Sequence, residues 1–288
     1  MERLVHACHT RNERGKNMLR DITLGQYYQT ESKIHQLDPR VKLLSALVYI
    51  IMLFVCDDFS CYAICAIALW IVIRLSKVPI KFITKGLKTI VILLMISLLL
   101  NIFFTPGKVL FEFNFVRITE EGLIKAAKIG IRFILIIIAS SLLTLTTTPT
   151  NLTDGLEKSL GFLNYIKIPV HEIAMMMSIA LRFIPILMEE TDKIIKAQTA
   201  RGADFETGGM IKKAKSLIPI MIPLFVSALK RANNLAIAME ARCYHGGKDR
   251  TKMYPLKYNS RDFTAYFILF IFVVVLFVER FYVLKIFG

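Results

Sequence analysis

From Leu43 to Val278 the apolar residues of this chain are gathered into runs, separated by short and mostly basic breaks. That grouping limits the possible folds more than any motif does. Hydrophobic residues make up 55% of the 288 positions and charged residues only 20%, with a mean hydropathy of +0.54. A soluble core cannot absorb so much apolar surface, so the sequence predicts an all-α integral membrane protein. It excludes a disordered tail, a secreted disulfide knot and an ordinary soluble enzyme.

The runs themselves set the expected topology. Leu43 to Cys56 and Phe59 to Ile73 flank Asp57 and Asp58, and each is shorter than the roughly 20 residues of a full crossing. Arg40 and Lys42 precede the first, and Arg74, Lys77, Lys81, Lys85 and Lys88 follow the second with no acidic residue between 74 and 88. Basic flanks at both ends require an even number of crossings between them, so the pair is a hairpin whose Asp turn lies outside. The lysines can snorkel to extend each span, and those from Lys77 to Lys88 form one face of an interfacial helix. Thr89 to Thr105 is a third crossing and Gly122 to Thr148 a fourth. Between them VLFEFNFVRIT alternates like a small strand. Lys125, Lys128 and Arg132 at the outer end of the fourth crossing run against the positive-inside rule. Phe263 to Val278 is a fifth crossing, leaving from a basic cytoplasmic stretch. The expected plan is therefore about five transmembrane helices: a cytoplasmic segment 1–40, a four-helix part 41–148, a cytoplasmic module 149–261 and a last helix 262–288. Residues 1–17 have no apolar stretch of signal-peptide length, and Met18 is a plausible start of translation.

Within 149–261 two long amphipathic helices are expected to lie against the inner face. One covers 168–200, with Arg182 and Pro185 in its apolar half. The other covers 208–247, where an apolar run from Leu217 to Leu229 carries Pro219 and Pro223 and is too short to cross. Their ends nearly repeat. Ala197-x-x-Ala200-Arg201-Gly202 is matched, 41 residues on, by Ala238-x-x-Ala241-Arg242-Cys243. Each places an arginine between small neighbours in the last turn before a break, Gly202 in the first case and Gly246-Gly247 in the second. A guanidinium so placed is free to enter a groove and bond carboxylates or carbonyls with its rigid fork. A helix dipole favours a terminal arginine by about 0.3–1 kcal/mol without any partner; the repeated frame favours docking into two equal sockets.

These tripeptides, with LGQYY at 24–28 and LDPRVKLL at 37–44, resemble the transmembrane T component of energy-coupling factor transporters, the vitamin and metal uptake systems driven by paired ATP-binding cassette ATPases. The resemblance spans about Met18 to the C-terminus. It implies a multi-pass scaffold in the bacterial plasma membrane with its N-terminus in the cytoplasm. Two ATPase subunits would dock on Ala200, Arg201, Gly202, Ala241, Arg242 and Cys243, and a separate membrane S component would bind the substrate. Cys243 stands where the family has glycine, which leaves Arg242 untouched and the cap of its helix open.

Other signals carry less. No G-x-x-x-x-G-K-[ST] occurs, so ATP hydrolysis by the usual phosphate loop is not expected of this chain. His171-Glu172 lacks the second histidine of a zinc-protease motif, Met standing at 175. Five cysteines inside or near apolar runs look like buried thiols, with Cys61 and Cys65 on one helix face; no metal or cofactor site is expected. Asn151-Leu-Thr153 is expected to cap a helix, with Thr153, Asp154 and Glu157 nearby, rather than to bear a glycan. A net charge of +15 suits anionic lipid or acidic partners, and nearby membrane spans argue against nucleic acid. The alternative function is a self-contained secondary transporter or channel, disfavoured because Asp and Glu are nearly absent from the expected spans.

Overall fold

The computed structural model describes residues 27–105, 109–113, 116–203, 209–246 and 256–287. Residues 1–17, the first three residues of LGQYY, and Gly247 lie outside them. The elements in chain order are α1 (Pro39–Val55), α2 (Phe59–Ser76), α3 (Ile80–Phe104), β1 (Val109–Phe113), β2 (Val116–Thr119), α4 (Glu120–Thr146), α5 (Pro149–Ser159), a 3-10 turn (Gly161–Ile166), α6 (Val170–Ala200), α7 (Met210–Glu240) and α8 (Ser260–Phe287). They form two compact units, one of residues 25–159 with 254–288 and the other containing 160–253.

The first unit is an antiparallel bundle tied at both ends by polar contacts. Asp38 caps α1, its Oδ1 accepting from the Arg40 N–H at 2.9 Å, and Pro39 takes the first helical position, where its missing N–H costs nothing. Asp262 at the start of α8 is buried, accepting from the Asp38 N–H at 2.9 Å and the Asn259 N–H at 2.8 Å. Lys42, also buried, donates to the carbonyls of His35 and Thr146, each at 3.0 Å. At the opposite end Arg132 of α4 donates to the Cys56 carbonyl at 3.0 Å, to Tyr62 Oη at 2.7 Å and to Asp57 Oδ1 at 3.1 Å. Arg280 of α8 donates to the Val55 carbonyl at 2.9 Å. Helices α1 and α8 therefore run one way and α2 and α4 the other. Two of the three cations that conflict with the charge rule have local partners: Arg132 is held by the Asp57 turn, and Lys128 lies 5.5 Å from the Phe59 ring centroid.

Between these ties Leu53, Tyr62, Leu69, Leu142 and Leu276 form the core, joined by Cys56, Cys61 and Cys65, all three buried free thiols. The exposed faces are themselves apolar, as at Phe54, Ile67, Phe267 and Phe270, which is the signature of a helix facing lipid. The strand expected in VLFEFNFVRIT is an antiparallel pair, with Phe111 opposite Ile118 and Phe113 opposite Val116. The cap of α5 differs from expectation. Thr148 Oγ1 accepts from the Asn151 N–H at 3.3 Å, whereas Thr153 is buried, its hydroxyl donating to the Pro149 carbonyl at 2.6 Å. Gly155 lets α5 reach α1, since a Cβ there would lie 2.9 Å from the Pro39 Cβ.

Among the described residues, four helical stretches are long and apolar enough to cross a membrane: Phe59–Ser76, Glu120–Thr146, Val170–Ala200 and Ser260–Tyr282. At 17 residues α1 is a short span that needs its basic flank, and α3 contributes a shorter apolar stretch, Ile90–Ile102. Helix α6, expected from the sequence to lie against the inner face, meets the requirement by length and composition; its apolar residues fill its first half and Glu189, Glu190, Asp192, Lys193 and Lys196 lie in its second.

In the second unit α6 and α7 pack on each other, each running through its prolines. Pro223 has no N–H for the Pro219 carbonyl four residues earlier. Gln198 of α6 supplies the missing donor, its Nε2 lying 3.4 Å from that oxygen.

Candidate functional site

Both tripeptides end helices, and they do so with the same hydrogen bonds. At the end of α6 the Gly202 N–H donates to the Thr199 carbonyl and the Ala203 N–H to the Gln198 carbonyl, both at 3.0 Å. At the end of α7 the Cys243 N–H donates to the Glu240 carbonyl at 2.9 Å and the Tyr244 N–H to the Met239 carbonyl at 3.1 Å. Each bond of the second pair is the first shifted by 41 residues. This is the Schellman closure, which needs one left-handed residue just past the helix. Gly202 fills that position at φ +88°, and Cys243 fills it at φ +55°.

The break of α7 therefore falls at Cys243 and not at the expected Gly246-Gly247. The reason lies in the backbone. A left-handed conformation costs an L residue about 1–2 kcal/mol, and closing the orphan carbonyls of Met239 and Glu240 offsets it. Cysteine in place of glycine thus leaves the cap geometry intact.

The two arginines follow from this geometry. Arg201 and Arg242 sit one residue before the left-handed position, and Ala200, Arg201, Gly202, Ala241, Arg242 and Cys243 are all exposed. Neither guanidinium has a hydrogen-bond or ion-pair partner among the described residues. Each extends from the negative end of a helix dipole with no bulky neighbour in its tripeptide, so a carboxylate or carbonyl can approach its whole fork.

Helix packing sets where the two ends point. Arg231 of α7 meets Glu190 of α6, guanidinium nitrogen to carboxylate oxygen at 3.0 Å, while Gln198 reaches back to Pro219. As one helix advances its partner retreats, so α6 and α7 run in opposed senses. Positions 190 and 231 are themselves 41 apart, so the ion pair joins equivalent positions of the two repeats. Arg201 lies eleven residues beyond Glu190 and Arg242 eleven beyond Arg231. At about 1.5 Å per residue each arginine stands about 16 Å along its helix from the ion pair, and the antiparallel pairing sends the two helix ends in opposite directions. The ion pair and the Gln198 contact have no sequence signal of their own. The 41-residue offset could have singled out Glu190 and Arg231 as equivalent, but nothing in the sequence says they touch.

Among the described residues no group of His, Cys, Asp and Glu side chains is arranged to hold a metal ion. Comparison with known proteins points to transport. Residues 30–253 match the family described as cobalt transport protein. The chain is 54% identical over 250 residues to the energy-coupling factor transporter transmembrane protein of Clostridium kluyveri, covering 86% of this chain and 93% of that one. It is 48% identical over 248 residues to the Thermosediminibacter oceani protein of the same name, covering 86% and 94%. The Bacillus subtilis protein of that name is 43% identical over 264 residues, 91% of this chain and all of its own length.

Proposed function

Because this chain belongs to the family of energy-coupling factor transmembrane components, multi-pass membrane subunits with a non-catalytic place in a transporter, we propose that Arg201 and Arg242 each dock one ATP-binding cassette ATPase subunit. ATP-driven closure of the two ATPases would displace the opposed ends of α6 and α7, and the rigid helix pair would carry that displacement to a membrane S component that binds the vitamin or metal ion. In this reading the N-terminus and both arginines are cytoplasmic. The observation that carries it is the pair of caps closed by the same hydrogen bonds, each presenting an arginine with no partner among the described residues at the end of one of two antiparallel helices. Two like sockets on two like subunits are the partner such a pair fits.

The test is uptake by the reconstituted complex. Truncating one side of a buried charge-assisted contact costs about 2–5 kcal/mol, so Arg201→Ala with Arg242→Ala is expected to release the ATPases or abolish ATP-driven uptake. Normal uptake by the double variant would defeat the docking. Substrate flux through the isolated chain in vesicles, with no ATPase present, would favour a secondary carrier instead.

A further inference from the structure

The first unit holds two adjoining cavities of opposite character. A bowl of about 390 Å³ has Lys33, Arg74, Lys77 and Arg261 in its wall against a single carboxylate, Glu31. A larger slot of about 650 Å³ runs between α1, α2, α4 and α8 and is almost wholly apolar, with Tyr49, Leu69, Val72, Leu142, Leu269 and Phe272 among its lining. The two share Lys33, Leu75 and Arg261. At the slot's polar end the Lys42 amine is already bonded to two carbonyls. Beside the bowl Arg74 lies over the ring of Trp70, 4.9 Å from its centroid, and Trp70 is exposed. A tryptophan with an arginine one turn on is how a helix marks the boundary between hydrocarbon and headgroups.

We propose that bowl and slot together seat one anionic phospholipid, its headgroup among Lys33, Arg74, Lys77 and Arg261 and an acyl chain between the helices. Charge decides the class. Four cations and one carboxylate would repel a zwitterionic headgroup's ammonium and attract a net negative phosphodiester, and basic recesses between spanning helices are where such headgroups bind. The slot's cations lie at one end and the rest of its wall is apolar, which suits an acyl chain better than a free anion. The site is separate from the arginine tripeptides, so it stands or falls independently of ATPase docking.

The chain's one tryptophan supplies the measurement. Full-length protein in mixed micelles is titrated with phosphatidylglycerol or phosphatidylcholine brominated on the acyl chains, and quenching of Trp70 is compared at equal mole fraction. Phosphatidylglycerol is expected to quench at least threefold more effectively. Lys33→Gln with Arg261→Gln should bring the ratio to about one; if that variant misfolds, Lys33→Gln with Lys77→Gln removes the same charge at exposed positions. Millimolar inorganic phosphate should leave the wild-type ratio unchanged. Equal quenching by the two lipids in the wild type, or an unchanged preference in the folded variants, overturns the proposal. So does loss of the preference with phosphate, which would mean a free-anion site. If adding the ATPases and an S component abolishes it, the slot seats a partner helix and the lipid assignment is wrong.

Discussion

Gly202 and Cys243 occupy one position in two copies of the same cap, and only Cys243 carries a Cβ in a left-handed backbone. Alanine at the two sites should therefore act differently. Gly202→Ala introduces a left-handed cost of about 1 kcal/mol, whereas Cys243→Ala changes nothing in the backbone and should be close to neutral. Thermal unfolding of the purified chain in one detergent measures both, and equal losses would show that the two caps are not equivalent. His35 allows a prediction of pH dependence. Its Nε2 faces the Tyr28 carbonyl at 3.1 Å, which can only accept, so Nε2 bears the hydrogen and Nδ1 accepts from Ser32 Oγ at 2.7 Å. Burial, and then the charge of Lys42, lower the pKa of this ring below its usual 6.5, although its contact with the Tyr28 carbonyl works the other way. The folded state then binds fewer protons than the unfolded one just below that pH, so stability is full above about 6.5 and falls as the pH drops through the lowered value. His35→Gln, which keeps a donor for Tyr28, should flatten the change in unfolding temperature between pH 7.5 and pH 5.5. An unaltered slope would assign the effect to another group.

At the scale of elements, the match between the two helices predicts that charge order is unimportant at the ion pair that joins them. Glu190 and Arg231 occupy equivalent places, so exchanging them as Glu190→Arg with Arg231→Glu should restore what either single reversal loses. The pair is about a third exposed, so the coupling should be modest, about 0.5–1 kcal/mol by double-mutant cycle. A swap no better than the single reversals would show that the two positions are not equivalent. Gly155→Ala tests the α5 contact. Its Cβ would press on Pro39 at 2.9 Å and on backbone at 3.3 Å, with an expected cost of about 1–3 kcal/mol in thermal stability. Most helices were legible because apolar runs and basic flanks report burial in lipid directly. The ends were less so. Thr148 rather than Thr153 caps α5, and Cys243 rather than a glycine pair closes α7, because a cap depends on which backbone groups meet and residue type only biases it. The prolines of α7 were legible as a limit on crossing. That a glutamine on another helix would satisfy the carbonyl freed by Pro223 was not, since nothing local to residues 219–223 encodes it.

At the scale of the whole molecule, the proposed function requires that both arginine ends face the ATP-containing side. For the bundle, charge distribution gives an expected orientation of its own. The end of the bundle bearing Lys33, Lys42, Arg74, Lys77 and Arg261 collects the cations, while the other end holds the Asp57-Asp58 turn, where Arg132 is already paired. On the positive-inside rule the first end is cytoplasmic and the turn is outside. The native cysteines make this testable. Cys56, Cys61 and Cys65 are buried, and Cys243 is exposed beside Arg242. In a Cys8→Ala background expressed without ATPases, a membrane-impermeant maleimide should label Cys243 in inside-out vesicles and leave it unlabelled in right-side-out ones. Asp58→Cys should show the reverse. Labelling of Cys243 from the outer face would place Arg242 where no ATPase can reach it. Labelling of both positions from one face would overturn the orientation while leaving the helix pair and its caps as they are.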